Sequence, residues 1–392
     1  MRSRAAANLA IVAFLAGPAS FACVRTYAGD PPLAYAAVRY DSPDGKPWPE
    51  KSITLPELRG KYKTATEPRL AYVELNPEGA RTVIFLHGLG SYLKFWRYQL
   101  DEFAGKGYRV LALDMLGYGK SDKPASFPYT MEAMADVVRA FAHRVEADKP
   151  ILVGHSMGGQ VALSFAIRYP DELAALVLTS PAGFEEFGDK EKRWLEKVFT
   201  VNLVAGANEY EIWGNIRYNN FYRWRPELEW LVEERVRTTK DPTFRSYAYA
   251  NVKSVRGLAA NDFVRQNLEK IRVPAVIVHG DKDRLIPNPF LHGGTTKGVM
   301  EYGHAHIHGS KLVTLEGCGH TVQMDCAEEY NHAVLAFLAT LPTPAPRATP
   351  PAPAPKPEPA KPAKPKPPAP PSTPEPQAPP TEGGKPEGHN RR

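Results

Sequence analysis

One serine between closely spaced glycines is the residue of this sequence best placed for covalent chemistry. Ser156 lies within 154–158, Gly-His-Ser-Met-Gly, which matches the pattern G-x-S-x-G. The apolar run 151–153 before it predicts a buried strand, and apolar residues at helical spacing up to Pro170 predict a helix after it. Such a sharp strand-to-helix turn exposes the serine hydroxyl, and the glycines leave room for the turn. The pattern therefore predicts that this serine is a nucleophile.

A serine nucleophile needs a base to take its proton, and the base needs a carboxylate to orient it. Downstream, the predicted strand 273–278 is followed by a polar turn that carries Asp281 and Asp283. The predicted strand 311–315 is followed by a glycine-rich turn that carries His320. These side chains come just after the carboxyl ends of strands, the edge at which open α/β sheets hold their sites. The residues alone leave both aspartates open as the acid.

Two further segments have the composition of active-site loops. Residues 83–96 read VIFLHGLGSYLKFW, and residues 111–124 read LALDMLGYGKSDKP. Together with the serine turn and the histidine turn, in this order, they make residues 60–340 resemble the α/β-hydrolase fold family. The resemblance implies an α/β fold with a mostly parallel, doubly wound sheet.

The resemblance also implies a role for each of the reactive residues. Ser156 corresponds to the nucleophile, His320 to the general base and Asp283 to the acid of a catalytic triad. The turn GDKDRLIP resembles that of family members in which the second aspartate serves, which favours Asp283 over Asp281.

Residues beside the triad are expected to support it. By the same resemblance, the backbone N–H groups of Leu89 and Met157 would form an oxyanion hole, which meets the charge on the attacked carbonyl oxygen. We expect His87 to brace the oxyanion loop by hydrogen bonds and Asp114 to hold the edge of the site. His155, next to the nucleophile, is interpreted as a packing residue.

The identity of the nucleophile narrows the reaction. Serine suits attack on an acyl carbonyl, whereas the dehalogenase and epoxide-hydrolase branches of the family use aspartate to attack an alkyl carbon. A carboxylic ester is the favoured substrate, and carbon–carbon bond hydrolysis, perhydrolysis and amide cleavage are alternatives.

No nucleotide-binding motif is present, so no cofactor is predicted. Residues 303–309 space three histidines two apart, which we interpret as solvated surface rather than as a metal site.

A helical insertion interrupts the strand pattern. Residues 61–182 and 268–341 are predicted to form the hydrolase core, and residues 183–267 a helical cap over the active site. The cap is rich in aromatic residues, which predicts an apolar pocket for an acyl or aryl group of a small-molecule substrate. The alternative is that the rings only pack the cap against the core.

The amino terminus has the pattern of an export signal. Two arginines precede an apolar run of about 14 residues and then small residues, so 1–22 predicts a bacterial export signal. Either cleavage after Ala22 releases the chain, or Cys23 is lipidated and anchors it at the membrane, and we favour lipidation. Residues 23–60 would then be a tether in the cell envelope.

The carboxyl terminus accounts for the basic character of the chain. Residues 342–392 hold 20 of the 39 prolines, with eight basic and four acidic residues, which predicts a disordered tail with an unknown partner. The chain as a whole carries +6, and without the tail and the two leader arginines the balance is about zero. The charge therefore does not indicate nucleic-acid binding by the body.

Two cysteines bracket the histidine turn. Cys318 and Cys326 lie eight residues apart on either side of His320. In an oxidising compartment they can form a disulfide that clamps this turn, and the alternative is two separate buried thiols.

Two classes of protein fit these features. The first is an exported serine hydrolase, and the second is a non-catalytic envelope protein that uses the same fold for binding. A binding protein would be expected to lack at least one triad residue, whereas all three are present. We therefore favour the enzyme.

Overall fold

An eight-stranded sheet lies at the centre of the fold in the computed structural model, which describes residues 25–260 and 262–342. The strands are β1 Glu50–Thr54, β2 Arg69–Leu75, β3 Arg81–Leu86, β4 Tyr108–Leu113, β5 Ile151–His155, β6 Ala175–Thr179, β7 Ala275–Gly280 and β8 Lys311–Leu315. Their order across the sheet is β1-β2-β4-β3-β5-β6-β7-β8. The pairs β1–β2 and β2–β4 are antiparallel, and all other neighbours are parallel. The predicted fold class, a mostly parallel α/β sheet, is confirmed.

Helices cover both faces of this sheet. The α-helices are α1 Pro56–Tyr62, α2 Leu100–Gly105, α3 Met131–Arg144, α4 Met157–Arg168, α5 Asp189–Val198, α6 Val201–Ala205, α7 Glu209–Gly214, α8 Trp230–Thr238, α9 Phe244–Ala260, α10 Phe263–Asn267, α11 Thr296–His306, α12 Val322–Asp325 and α13 Ala327–Leu338. Shorter elements are the 3₁₀ turns Tyr35–Ala37, Leu93–Trp96, Pro170–Glu172, Pro226–Leu228 and Leu268–Lys270, and the π-helical turn Asn215–Asn220. Across the two described ranges, no helix is both long and apolar enough to traverse a lipid bilayer.

The two faces of the sheet belong to two separate apolar cores. In β3, Val83 and Phe85 pack with α2 and α13, whereas Ile84 and Leu86 pack with α3 and α4 on the opposite side. All four side chains are fully buried. Strands that are buried on both faces have continuous apolar sequences instead of alternating ones. This is why the sequence predicts the positions of these strands so directly.

The segment predicted as a tether, 23–60, is instead part of the folded body over the residues that the structure describes. Strand β1 pairs with β2 at the edge of the sheet. Tyr27, Tyr40 and Trp48 are buried with relative exposures of 2%, 2% and 4%. The prolines and glycines of this segment suggested a linker, but its aromatic rings provide enough apolar surface to bind it to the core. Cys23, the candidate for lipidation, lies outside the described residues.

The insertion between β6 and β7 is helical, with α5 to α10 in succession. Its contacts with the sheet edge are made near the predicted active site. The side chains of Tyr247 and Arg235 both hydrogen-bond the carbonyl of Gly90 in the oxyanion loop. The insertion therefore lies against the loop that follows β3.

Candidate active site

The predicted nucleophile occupies a strained turn between β5 and α4. Ser156 has φ +51° and ψ −115°, a backbone conformation that residues other than glycine rarely adopt. Such a conformation costs about 1–3 kcal/mol and persists only when its surroundings enforce it. The backbone N–H of Ser156 donates to the carbonyl of Thr179 at 3.0 Å, and its carbonyl accepts from Gly159 and Ala182 at 2.9 and 3.0 Å. These bonds on both sides hold the turn.

The glycines of the turn are required by close backbone contacts. A Cβ atom at Gly154 would lie 2.3 Å from the carbonyl oxygen of Gly158. A Cβ atom at Gly158 would lie 2.3 Å from the carbonyl oxygen of Leu86 at the end of β3. Any side chain at either position would push α4 away from the sheet.

The Gly158→Ala variant is therefore expected to lose about 1–3 kcal/mol of unfolding free energy through overpacking. Its activity should fall as well, because the nucleophile moves with the turn. Gly214→Ala is the matched control, since a Cβ atom there meets nothing within 4 Å and the residue is helical. Urea unfolding of the two variants would measure this difference, and equal stabilities would contradict the steric argument.

The oxyanion loop lies directly against the nucleophile turn. A Cβ atom at Gly88 would lie 2.7 Å from His155 Nδ1 and 3.4 Å from the Cβ atom of Ser156. The next residue, Leu89, follows this contact, and Met157 begins α4. Among the hydrogen bonds of the described residues, none uses the backbone N–H of Leu89 or Met157. Both donors are therefore available for an anionic oxygen at the amino end of α4.

His87 makes the bracing hydrogen bonds that we expected from the sequence. Its Nδ1–H donates to the carbonyl of Gly88 at 2.8 Å, and its Nε2 accepts from the backbone N–H of Met115 at 3.0 Å. The ring is fully buried, and this burial lowers the pKa of His87 to about 4. Asp114 completes the support by accepting the backbone N–H of Leu93 at 2.9 Å.

Stability should depend on pH because of such buried histidines. In the folded state the pKa of His87 is about 4, below the ordinary 6.5, so the unfolded chain binds more protons between these values. The stabilisation is complete above pH 6.5 and is lost as the pH falls towards 4, by about 2–3 kcal/mol for this residue.

Urea unfolding at several pH values would measure this loss. The His87→Gln variant should show a weaker decline below pH 6.5 than the parent chain. His308→Gln, at an exposed position, is the control and should retain the parent slope. Identical slopes for all three proteins would contradict the assignment.

The structure brings His320 and Asp283 together. The distance between His320 Nδ1 and Asp283 Oδ2 is 2.7 Å, and the two side chains are only 4% and 0% exposed. The other carboxylate oxygen of Asp283 accepts the backbone N–H groups of Leu285 and Ile286 at 2.8 and 3.1 Å. With its Nδ1–H directed to the carboxylate, the imidazole has Nε2 as its free basic nitrogen.

Asp281, the alternative acid, has a different role. Its carboxylate accepts the backbone N–H of Gly317 at 2.6 Å and pairs with Lys282 Nζ at 2.7 Å. These contacts link the loop after β7 to the loop after β8. Asp283, not Asp281, is therefore the carboxylate that binds the histidine.

His155 links the nucleophile turn to the histidine loop, which sequence reasoning missed. Its Nε2–H donates to the backbone carbonyl of His320 at 3.2 Å, and the two ring centroids are 4.9 Å apart. Burial holds the pKa of His155 well below its ordinary value, so the ring is neutral.

Ser156 itself is partly exposed, and its Oγ makes no hydrogen bond within the described part of the chain. Catalytic hydrogen bonds often tighten only when substrate binds.

Asp325 is a second residue that sequence reasoning missed. It is 1% exposed, and its carboxylate accepts three backbone N–H groups, from Gly319, Tyr222 and Arg223, at 2.7 to 2.8 Å. The first belongs to the loop of His320, and the other two belong to the helical insertion. Asp325 therefore joins the insertion to the loop that carries the base. Its place between the two cysteines was the only signal for it in the sequence.

The structure contains the disulfide that the sequence left open. Cys318 and Cys326 are bonded, with their Cα atoms 6.0 Å apart. The bond closes a loop of the chain around His320 and Asp325, so it restricts the backbone on both sides of the base.

The three spaced histidines do not lie on a strand. His304 and His306 occupy the last turn of α11, where they contact Ser310 Oγ and the carbonyl of Tyr302 at 2.9 and 2.8 Å. Within residues 25–260 and 262–342, no group of three or more His, Cys, Asp or Glu side chains is arranged to hold a metal ion.

Comparison with known proteins agrees with this fold. Residues 81–327 match the family described as alpha/beta hydrolase fold, which is more than half of the chain. The chain therefore belongs to the α/β-hydrolase family and is an enzyme of that class.

Individual relatives are similar over most of their length. The AB hydrolase superfamily protein YisY of Bacillus subtilis (strain 168) is 28% identical over 71% of this chain and 98% of its own. A 2-hydroxy-6-oxononadienedioate/2-hydroxy-6-oxononatrienedioate hydrolase of Paraburkholderia phymatum is 27% identical over 70% of this chain and 92% of its own. The crystal structure of a probable hydrolytic enzyme of Pseudomonas aeruginosa PAO1 has a TM-score of 0.68 and 23% identity, over 79% of this chain and 98% of its own.

Proposed function

We propose that this protein is a serine hydrolase that cleaves a carboxylic ester through an acyl-enzyme. The observation that carries the proposal is the buried His320–Asp283 pair. The loop of His320 is hydrogen-bonded to the turn of Ser156 through His155. A carboxylate, an imidazole with one free basic nitrogen and a serine in a strained turn are the parts of acyl-transfer catalysis.

In this mechanism, Ser156 Oγ attacks the ester carbonyl carbon while His320 Nε2 takes the hydroxyl proton. The negative charge moves to the carbonyl oxygen, where the N–H groups of Leu89 and Met157 stabilise it. When the tetrahedral intermediate collapses, the bond to the alcohol breaks and His320 gives its proton to the leaving oxygen. Water then attacks the acyl carbonyl carbon while His320 Nε2 takes one of its protons. When this second intermediate collapses, the bond to Ser156 Oγ breaks, the proton returns to Oγ and the carboxylic acid is released. The Asp283 carboxylate accepts the hydrogen bond from Nδ1–H throughout.

A second candidate is hydrolysis of a carbon–carbon bond. It is favoured by the relative from Paraburkholderia phymatum, whose name specifies a 2-hydroxy-6-oxo dienedioate substrate. Such a substrate offers a ketone carbonyl to the same serine. The leaving group would then be a carbon atom, which needs its own stabilisation.

The test compares the two substrate classes on one protein. Turnover of p-nitrophenyl esters with acyl chains of two to twelve carbons is expected, with a preference that reports the size of the pocket. A 2-hydroxy-6-oxo dienedioate should be turned over far more slowly. The reverse order would replace the ester proposal by the carbon–carbon one. The absence of turnover on both, and of labelling by a fluorophosphonate, would favour a non-catalytic binding protein.

We further propose that the chain is exported and lipidated at Cys23. The support is the sequence of residues 1–22, two arginines followed by an apolar run and small residues before the cysteine. Incorporation of radioactive palmitate into the parent chain, but not into Cys23→Ser, is expected in a bacterial host. An unlabelled mature chain that begins at Cys23 would instead indicate ordinary cleavage after Ala22.

A further inference from the structure

Several large aromatic side chains of the helical insertion face solvent instead of a pocket. Tyr210, Tyr218 and Tyr222 are 60%, 42% and 47% exposed. They fall within thirteen consecutive residues, in and after α7. Large rings that cluster on the surface of a protein are typical of an interaction site.

The half-buried side chains of Trp213 and Arg217 connect two of these exposed rings. Tyr210 stacks on Trp213 at 6.5 Å between centroids, and Trp213 meets Tyr218 edge-on at 5.4 Å. The guanidinium of Arg217 lies 4.8 Å from the centre of the Trp213 ring and 5.9 Å from that of Tyr218. We call Tyr210, Trp213, Arg217, Tyr218, Tyr222 and the neighbouring Arg284 the aromatic–arginine face.

Arg284 connects Tyr222 to the rest of this face. It donates to the backbone carbonyl of Tyr218 at 3.1 Å, and its guanidinium lies 5.9 Å from the centre of the Tyr222 ring. The face therefore combines rings that have an apolar body and a polar tip with guanidinium groups beside them. This composition is typical of the boundary between lipid head groups and acyl chains.

The described chain begins next to this face. The backbone N–H groups of Tyr27 and Ala28 donate to the carboxylate of Glu209 at 2.6 and 2.9 Å, and Glu209 precedes Tyr210. The Tyr27 ring is buried in a cluster with Ile212. In the sequence, Cys23 lies only four residues before Tyr27, a chain length of at most about 14 Å.

We propose that the aromatic–arginine face lies in the head-group region of a phospholipid membrane, beside the lipid on Cys23. A lipid on Cys23 would tether the chain to the membrane without fixing which side of the body faces it, and a second contact on the body fixes that orientation. The tyrosine and tryptophan rings provide that second contact, and the arginines pair with lipid phosphates. The sequence argues for this occupant, because the residue proposed to carry the lipid is four positions before Tyr27, which is bonded to Glu209 beside the face.

The membrane contact would also orient the active site. The segment that ends the face is bonded to the histidine loop, since Asn220 accepts the backbone N–H of Thr321 at 2.9 Å and Tyr222 donates to Asp325. The docking rests on the proposed export, whereas it is independent of the ester chemistry.

The experiment measures which side of the full chain touches lipid. The chain is purified in detergent and reconstituted into vesicles of phosphatidylcholine and phosphatidylglycerol that contain brominated acyl chains. A fluorescent thiol label is placed at Tyr210→Cys, and for comparison at Lys106→Cys, an exposed position just before the amino end of β4. The label at 210 is expected to be quenched several-fold more than the label at 106. Equal quenching at both positions, or vesicles without bound protein, would overturn the docking.

A second measurement separates the face from the anchor. In a Cys23→Ser chain, changing Tyr210 and Tyr218 together to serine should lower vesicle partition about tenfold, whereas changing both to tryptophan should retain it. Two outcomes would overturn the membrane proposal. Either vesicle partition is the same in all these variants, or the protein forms a dimer that the serine changes dissociate and vesicles do not affect, which would indicate a protein partner. Turnover of a soluble ester is read in the same samples. Its absence would refute the proposed hydrolysis and leave the docking result standing.

Discussion

The Ser156→Ala variant is expected to lose about six orders of magnitude in kcat on any ester that the parent chain cleaves. Alanine has no oxygen to attack the carbonyl carbon, so the acyl-enzyme cannot form. The oxyanion donors of Leu89 and Met157 remain, and they leave a slow residual reaction above that of water. Substrate binding should change little, because the serine contributes one small side chain to the pocket.

The measurement pairs ester turnover with covalent labelling. A fluorophosphonate should attach to Ser156 in the parent chain and to no residue of the alanine variant. Ser164→Ala is the matched control. This serine is fully buried in α4, the helix that follows Ser156, and its Oγ has no hydrogen-bond partner among the described residues. It should retain normal turnover. Labelling that persists in Ser156→Ala, or equal turnover in the two variants, would reject the acyl-serine mechanism.

The Asp283→Asn variant is expected to lose about four orders of magnitude in kcat. The asparagine amide has nearly the same shape, so the loop should keep its conformation. Its NH₂ group can face His320 Nδ1, which then accepts a hydrogen bond and leaves the proton on Nε2. An imidazole in this tautomer cannot take the serine proton, and the neutral amide no longer stabilises the imidazolium.

Asp281→Asn provides the control for this variant. Asp281 lies two residues away and bonds Gly317 and Lys282 instead of the histidine. Its replacement should change kcat by less than about tenfold. A larger loss in Asp281→Asn than in Asp283→Asn would mean that the acid of the triad has been assigned to the wrong aspartate.

Local sequence patterns alone were sufficient to predict the secondary structure around the candidate residues. The apolar run before Ser156 and the helical spacing after it predict a strand-to-helix turn, and the structure has β5 and α4 there. The predicted strand 311–315 has the observed bounds of β8. Strands and helices are set by periodicities of two and 3.6 residues within one short segment, which the sequence displays directly.

Other features depended on which segments meet in space. Asp281 and Asp283 have the same chemistry two residues apart, and only the packing of the two loops directs one of them to His320. Asp325 accepts hydrogen bonds from Tyr222 and Arg223, about a hundred residues earlier in the chain. No local pattern encodes such a pairing, because it arises when the helical insertion folds onto the sheet edge.

The segment 23–60 and the aromatic rings of the insertion show the same division. The sequence shows prolines and glycines in the segment 23–60 and many aromatic rings in the insertion. Burial decided what they mean: Tyr27 and Trp48 are enclosed by the body, whereas Tyr210 and Tyr222 are exposed. The sequence by itself predicted the candidate reactive residues, and it located the strands and turns that carry them. Only the tertiary structure decided which side chains are withdrawn from water, because burial is a property of surfaces that come together from distant parts of the chain.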